Sequence, residues 1–311
     1  MPKRKIAIIG LGKISLDQHV PVIGASDEFE LSAIVSTRGL GHGNAPVFRA
    51  PAELYRALPE VGVVAVNTPP GVRHAIAREA LAAGKDVLLE KPPATTLSEL
   101  ADLETFAAEN KRVLFATWHS QFNPAVDEAR RLLARTGLRS LHIEWREDVR
   151  KWHPGQDWVW EPGGFGVFDP GINAFSIASR IFPGSLFVKS ADLSIPEDAQ
   201  TAIAADVTFY IPEADGPLTA SLDWRRTEGE EWTITVEAAD GTRVRLEDGG
   251  ARLILNGQAS ADNGIGEYPD IYRAFVDLID ERRSLVDVAP LRLVADCLLV
   301  GGRRIVEAVN G

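Results

Sequence analysis

The sequence predicts an α/β protein, with an N-terminal Rossmann-type doubly wound parallel sheet followed by an α+β region built on a large, mostly antiparallel open sheet. Three observations carry that expectation. The apolar run Ile6-Ala7-Ile8-Ile9 ends in Gly10-Leu11-Gly12-Lys13-Ile14-Ser15, a strand running into G-x-G-x-x-S. Strand-like and helix-like segments then alternate to about residue 120. Beyond that point, runs that alternate apolar and polar residues follow one another through tight turns.

Each element has a local reason. Gly10 permits a tight turn, and Gly12 lets backbone approach a pyrophosphate at the start of a helix expected from about Ile14. Ser15 stands where a third glycine often does, and it is still small enough for close helix–strand packing. Leu31 to Val35 reads as the second strand and leads into Ser36-Thr37-Arg38. A site selective for NAD usually has an acidic residue there, roughly 20 residues after the glycines. Hydroxyls and a guanidinium instead suit a 2′-phosphate, so NADP is expected to be accepted beside NAD, although Arg38 reads equally well as a plain surface charge. Val61 to Val66 is a buried strand ending in Asn67-Thr68-Pro69-Pro70, followed by a helix over Val72 to Ala83 that Gly84 stops. Asp86 to Leu89 is the next strand and ends in Glu90-Lys91-Pro92-Pro93, where the prolines restrict Lys91 to extended geometry. Thr96 and Glu99 form a capping box for a helix over Leu97 to Asn110, and Arg112 to Ala116 closes the alternating part. Two domains are expected, 1–120 for a dinucleotide and 121–311 for a substrate.

The second part is expected to hold a helix at Pro124 to Arg135. Strands are expected at 140–147, 186–195, 202–211, 218–224, 232–238, 242–246 and 252–255. Asp240-Gly241 and Gly249-Gly250 supply turns. Two closing helices are expected, about Tyr268 to Arg283 and Leu291 to Ala308. Between these lies the stretch densest in chemistry, Glu147 to Trp158, continuing through Trp160 to Asn173. Tryptophan faces can stack on the C–H side of a pyranose while His, Glu, Arg and Lys take up its hydroxyls. Tryptophans also fill cores, and that reading stands equally for Trp158 and Trp160. Asp169 falls at the start of a helix with Asn173 one turn later, and as a plain N-cap it would need no function.

Composition narrows the classes. The 311 residues are 45% hydrophobic and 25% charged, which suits a globular core. A formal net charge of -11 argues against nucleic acid or an anionic membrane as partner. The N-terminus leads into a short strand rather than a signal peptide, and no apolar run approaches a membrane span. The single Cys297 excludes an intrachain disulfide and a cysteine metal cluster, and reads as buried and inert. A cytoplasmic location and no resident metal are therefore expected. His74 reads as structural or solvated.

Taken together, Gly10 to Ile14, Asn67-Thr68-Pro69, Glu90-Lys91-Pro92 and Asp169-Pro170-Gly171-Ile172-Asn173 resemble the glucose–fructose oxidoreductase/inositol dehydrogenase family of NAD(P)-dependent enzymes over the whole chain. The runs Trp118-His119-Ser120, Trp145 to Gln156 and Gly166 to Asn173 are similar to a bacterial subgroup, the D-galactose and L-arabinose 1-dehydrogenases. The resemblance implies NAD or NADP as cofactor, held by Gly10, Gly12, Lys13, Ile14, Ser36, Thr37, Arg38, Asn67, Thr68, Pro69, Glu90 and Lys91. It implies oxidation of an aldose at its anomeric carbon, with Lys91 and Asp169 in the chemistry and Asp169 either orienting Lys91 or acting as base. His119, Glu147, Trp152, His153, Asn173 and, more weakly, Trp232 would hold the sugar. One departure stands out. Many family members carry a histidine acid/base four residues after the aspartate, where this chain has Asn173, an asparagine that the subgroup shares. A homodimer is expected by fold analogy alone. The alternatives are oxidation of a secondary ring hydroxyl, as in inositol dehydrogenases, or a regulator that binds sugar and cofactor without turnover.

Overall fold

The computed structural model describes residues 2–182, 184–212, 214–260 and 266–309. It divides into two compact units, Met1–Trp118 with Tyr268–Asp287, and His119–Glu267 with Val288–Gly311.

The first unit is a six-stranded parallel sheet, with β1 (Arg4–Ile9), β2 (Phe29–Val35), β3 (Val47–Phe48), β4 (Val63–Val66), β5 (Asp86–Leu89) and β6 (Leu114–Ala116) in the order β3-β2-β1-β4-β5-β6. The order reverses direction between β1 and β4, and the carboxyl ends of those strands are where an open α/β sheet binds its ligands. Every residue of β4 and β5 is buried, as strands covered on both faces must be. The helices are α1 (Val20–Ala25), α2 (Pro51–Ala57), α3 (Pro70–Ala82) and α4 (Leu97–Glu109). On α4, Leu100, Leu103 and Ala107 form one buried stripe, and the Thr96–Glu99 capping box is present. The helix expected from Ile14 begins instead as a π-helical turn, Ser15–His19, before α1. Pro21 has no N–H to bond the Asp17 carbonyl four residues back, and the turn aims His19 inward with no exposed surface.

The second unit opens with α5 (Pro124–Leu133), β7 (Leu138–Arg146), α6 (Val149–Trp152) and α7 (Phe168–Ile181). It continues with β8 (Phe187–Pro196), β9 (Ala204–Tyr210), β10 (Leu218–Asp223), β11 (Glu231–Ala238), β12 (Arg243–Glu247), β13 (Arg252–Leu255) and β14 (Gln258–Ala259). After α8 (Glu267–Asp280), which from Tyr268 belongs to the first unit, come α9 (Ala289–Val300) and β15 (Gly302–Val306). The nine strands run β14-β13-β12-β11-β7-β10-β9-β8-β15, antiparallel except for the pairs β7–β10 and β8–β15. The last segment corrects an expectation: the final helix stops at Val300, and Gly302 to Val306 pair with β8. Gly301-Gly302 breaks the helix, and β-branched Ile305 and Val306 take the strand. In α7, a side chain at Gly171 would come within 2.5 Å of Leu222, so the glycine lets the helix lie close on β10.

Candidate active site

In the first unit, the carboxyl ends of β1 and β4 are tied together. Gly10 stands at φ 96°, and a side chain there would meet the backbone of Asn67 and Thr68 at 3.0 Å. Ser15 Oγ donates to Gly10 O at 2.7 Å, and Asn67 Nδ2 donates to Ser15 Oγ at 3.0 Å. Space around Gly12 is open, with no atom within 4 Å of where a Cβ would lie. Asn67 Oδ1 and Thr68 Oγ1 are buried and have no hydrogen-bond partner. An open cradle beside orphaned polar atoms fits a polar ligand such as a dinucleotide. Pro69 leads into α3, while Lys13 pairs with Asp17 and Ile14 is partly exposed on the turn.

The loop after β2 folds back on the glycine turn, because Arg38 Nη2 donates to Leu11 O at 3.4 Å. Thr37 is exposed and its carbonyl accepts from Arg49 Nη1 at 2.6 Å. Ser36 is only 5% exposed, and its Oγ accepts from Leu40 N at 3.2 Å. Arg49 was not foreseen, since it follows the two-residue β3, which is too short to show a period in the sequence.

At the end of β5 a buried network supports Lys91. Glu90 Oε1 accepts from Tyr268 at 2.7 Å and meets His19 Nε2 at 3.0 Å, while Glu90 Oε2 accepts the Lys91 backbone N–H at 3.0 Å. His19 Nδ1 lies 2.8 Å from the Tyr272 hydroxyl. Burial, reinforced by the Glu90 charge, pushes the Tyr272 phenol well above its ordinary pKa. An ionised Glu90 only accepts, so His19 Nε2 carries the hydrogen of that contact, and a neutral His19 takes the Tyr272 O–H at Nδ1. Arg73 donates to Glu90 O at 2.5 Å and also to the carbonyls of Thr68 and Pro92, joining the two loops. The Lys91–Pro92 peptide is cis. His19, Arg73, Tyr268 and Tyr272 all escaped sequence reasoning, because each acts through a partner distant in the chain.

In the second unit the Glu147–Asn173 stretch gathers around tryptophans. Glu147 is buried, and its two oxygens accept Trp224 Nε1 at 3.0 Å and Trp232 Nε1 at 2.9 Å. Trp232 packs against Trp152 and Trp145 at ring separations of 5.7 and 6.2 Å. Trp152 Nε1 donates to Glu230 at 2.7 Å. Asp169 lies in the first turn of α7, where a carboxylate suits the helix dipole, but Val167 takes the N-cap position. Asp169 Oδ2 lies 3.2 Å from His153 Nε2, with the two side chains 6% and 15% exposed. Asn173 Oδ1 is buried with no partner, which leaves an acceptor for a hydroxyl. His119 pairs with Glu267 at 3.2 Å, and Asn123 also bonds Glu267 at 2.9 Å. Of the residues assigned to the sugar from sequence, Glu147, His153, His119, Trp152 and Trp232 all bond or pair with protein groups, the two tryptophans through their indole N–H, while Asn173 Oδ1 is buried with no partner. Glu230, Gln156 and Glu267 are additions that spacing could not reveal. His74 pairs with Asp102 at 2.7 Å, as a structural histidine should. Among the described residues no group of three or more His, Cys, Asp or Glu side chains is arranged to hold a metal. No helix among them is long and apolar enough to cross a membrane.

Comparison with known proteins agrees with this geometry. The family described as "Oxidoreductase family, NAD-binding Rossmann fold" matches residues 4–117. A galactose 1-dehydrogenase from Pseudomonas fluorescens is 43% identical over 304 residues, 98% of each chain. The crystal structure of a D-galactose-1-dehydrogenase protein from Rhizobium etli superposes with a TM-score of 0.92 at 45% identity, covering 99% of this chain and 98% of the other. A 3-ketoreductase from Actinomadura kijaniata, solved with NADP, shares the fold at a TM-score of 0.82 and 18% identity, covering 98% and 100%. The chain belongs to the glucose–fructose oxidoreductase/inositol dehydrogenase family of NAD(P)-dependent oxidoreductases.

Proposed function

We propose that the protein is an NAD(P)-dependent aldose 1-dehydrogenase, acting on sugars of the D-galactose, L-arabinose and D-fucose type and yielding the aldonolactone. The observation that carries this reading is the similarity to a galactose 1-dehydrogenase along 98% of both chains. The cofactor, held by the Gly10–Ile14 turn, Asn67–Pro69 and the Ser36–Arg38 loop, supplies the hydride acceptor when bound. A hemiacetal hydroxyl is more acidic than an ordinary alcohol, so a modest base is enough at C1. Lys91, as an ammonium, stabilises negative charge growing on the C1 oxygen, and Asp169 receives the hydroxyl proton. Trp152 and Trp232 take the apolar face of the ring, while Asn173 and His119 take hydroxyls. Glu147 keeps Trp232 in place through its indole N–H.

Lys91→Ala and Asp169→Ala should each lose kcat by about 10²-fold or more, the usual scale for a positioned acid/base group. Cofactor binding, followed by quenching of tryptophan fluorescence, should persist in both. Near wild-type kcat in Lys91→Ala would remove that residue from the chemistry. Arg38 is assigned to the 2′-phosphate of NADP, and a hundredfold preference for NAD in kcat/KM would contradict that assignment. We further place the enzyme in the cytoplasm as a homodimer, the latter to be checked by sedimentation equilibrium.

A further inference from the structure

The contact between His153 and Asp169 yields more when protons are counted. Gln156 Oε1 has two neighbours, Trp158 Nε1 at 3.1 Å and His153 Nδ1 at 3.3 Å. An indole N–H only donates, so the atom it meets must be the amide oxygen rather than the NH₂ group. That oxygen only accepts, so His153 Nδ1 carries a hydrogen. A neutral imidazole protonated on Nδ1 presents a lone pair at Nε2, and this lone pair faces Asp169 Oδ2 at 3.2 Å. Two acceptors at that distance repel unless one proton lies between them. The surroundings keep the arrangement in place: His153 packs on Trp224 at 5.2 Å and edge-on to Trp158 at 6.1 Å. Asp169 is the carboxylate that meets His153, and Glu147 bonds the indole N–H of Trp224, on which His153 packs.

We propose that His153 and Asp169 form a proton-holding pair, with Gln156 fixing the tautomer that leaves Nε2 aimed at Asp169. This inference rests on the aldose dehydrogenase reading. Asp169 is the member that meets the sugar, and His153 is a positioning residue that acts through it. In the step, the C1 hydroxyl O–H bond breaks as C1 gives up its hydride to the bound cofactor, and C1–O becomes C=O. The released proton is taken by the carboxylate and ends in the Nε2–H···Oδ2 bridge. Before the step the bridging proton passes to solvent; the repulsion then left between the carboxylate and the neutral imidazole is relieved when the released proton re-forms the bridge, and that proton in turn returns to solvent after the product leaves. The pair supplies a titratable nitrogen that Asn173 on α7 cannot.

Nitrogen-15 NMR of the imidazole rings in the full-length protein tests the tautomer without reference to turnover. Neutral His153 should carry its proton on Nδ1. In steady-state kinetics with D-galactose, His153→Gln keeps a donor to Asp169 but holds no titratable proton. Its kcat should fall by about 10²-fold, with KM for the sugar changed by less than about threefold, and the acid limb of the kcat–pH profile should be displaced. Gln156→Leu leaves His153 in place and releases the tautomer, with an expected loss in kcat on the order of tenfold. It serves if His153→Gln fails to fold. A wild-type ring protonated on Nε2, or a His153→Gln enzyme with kcat and pH profile unchanged, overturns the proposal. If the wild type forms no NAD(P)H with any aldose, the dehydrogenase reading fails, and the NMR result still decides whether the pair exists.

Discussion

Glu147 joins two indole N–H groups, and Trp224 is buried with no exposed surface. Glu147→Leu would leave those donors without an acceptor, at a cost of about 1–3 kcal/mol for a buried group. Urea unfolding should show the loss, with Glu147→Gln losing less because one oxygen remains. Equal stability of Glu147→Leu and wild type would contradict the arrangement. Single residues of the site were legible where a local pattern marked them. Lys91 stood between a strand end and a proline, and Asp169 stood at a helix start. Partnerships were not legible, because His153 and Asp169, or Glu147 and Trp232, sit in separate elements whose approach depends on packing. The sequence marked Glu147 and His153 as polar residues beside tryptophans, and their indole, amide and carboxylate partners emerge only in the fold.

The strand end at Asp86 shows how elements are tied to one another. Asp86 accepts both Arg282 nitrogens at 2.8 and 3.0 Å and the Val113 N–H at 2.8 Å. It therefore links β5 to the chain entering β6 and to the end of α8. Arg282 is half-exposed whereas Asp86 is buried. Asp86→Ala leaves a buried N–H unpaired and should lose about 1–3 kcal/mol, more than Arg282→Ala, whose guanidinium returns to water. Thermal unfolding of the two variants checks the order. In α9, burial and then the Asp296 charge push the Cys297 thiol up to about 12. The native protein should resist iodoacetamide at pH 8 and react only in denaturant, and stoichiometric native labelling would contradict its burial. Elements were legible where period and punctuation agreed, as in the Thr96–Glu99 cap and the Asp240-Gly241 turn, where Thr242 N donates to Asp240 at 2.9 Å. The last strand was not, since Gly301 to Arg304 is too short an interruption to show whether the apolar residues beyond it resume the helix, and pairing with β8 makes Gly302 to Val306 a strand.

At the scale of the whole molecule, the order of elements was legible because a parallel, doubly wound sheet demands strands alternating with helices, and the change to hairpin-linked strands marks a second sheet. The strand order within each sheet was not, since pairing is set by contacts far apart in sequence. Cofactor choice belongs to this scale as well, because the loop after β2 carries Arg38 and meets Arg49 beyond β3. Arg38→Ala should weaken NADP binding by about tenfold or more, one charge-assisted contact, and leave NAD binding nearly unchanged, as read by fluorescence titration. The central claim is that this chain oxidises the anomeric carbon of an aldose. Its most direct test is to mix the protein with D-galactose and NAD or NADP, follow absorbance of the reduced cofactor, and identify the sugar product by carbon NMR. The account predicts reduced cofactor formed in step with an aldonolactone; a ketose-type carbonyl within an intact ring, or no reduction with any aldose, would contradict it.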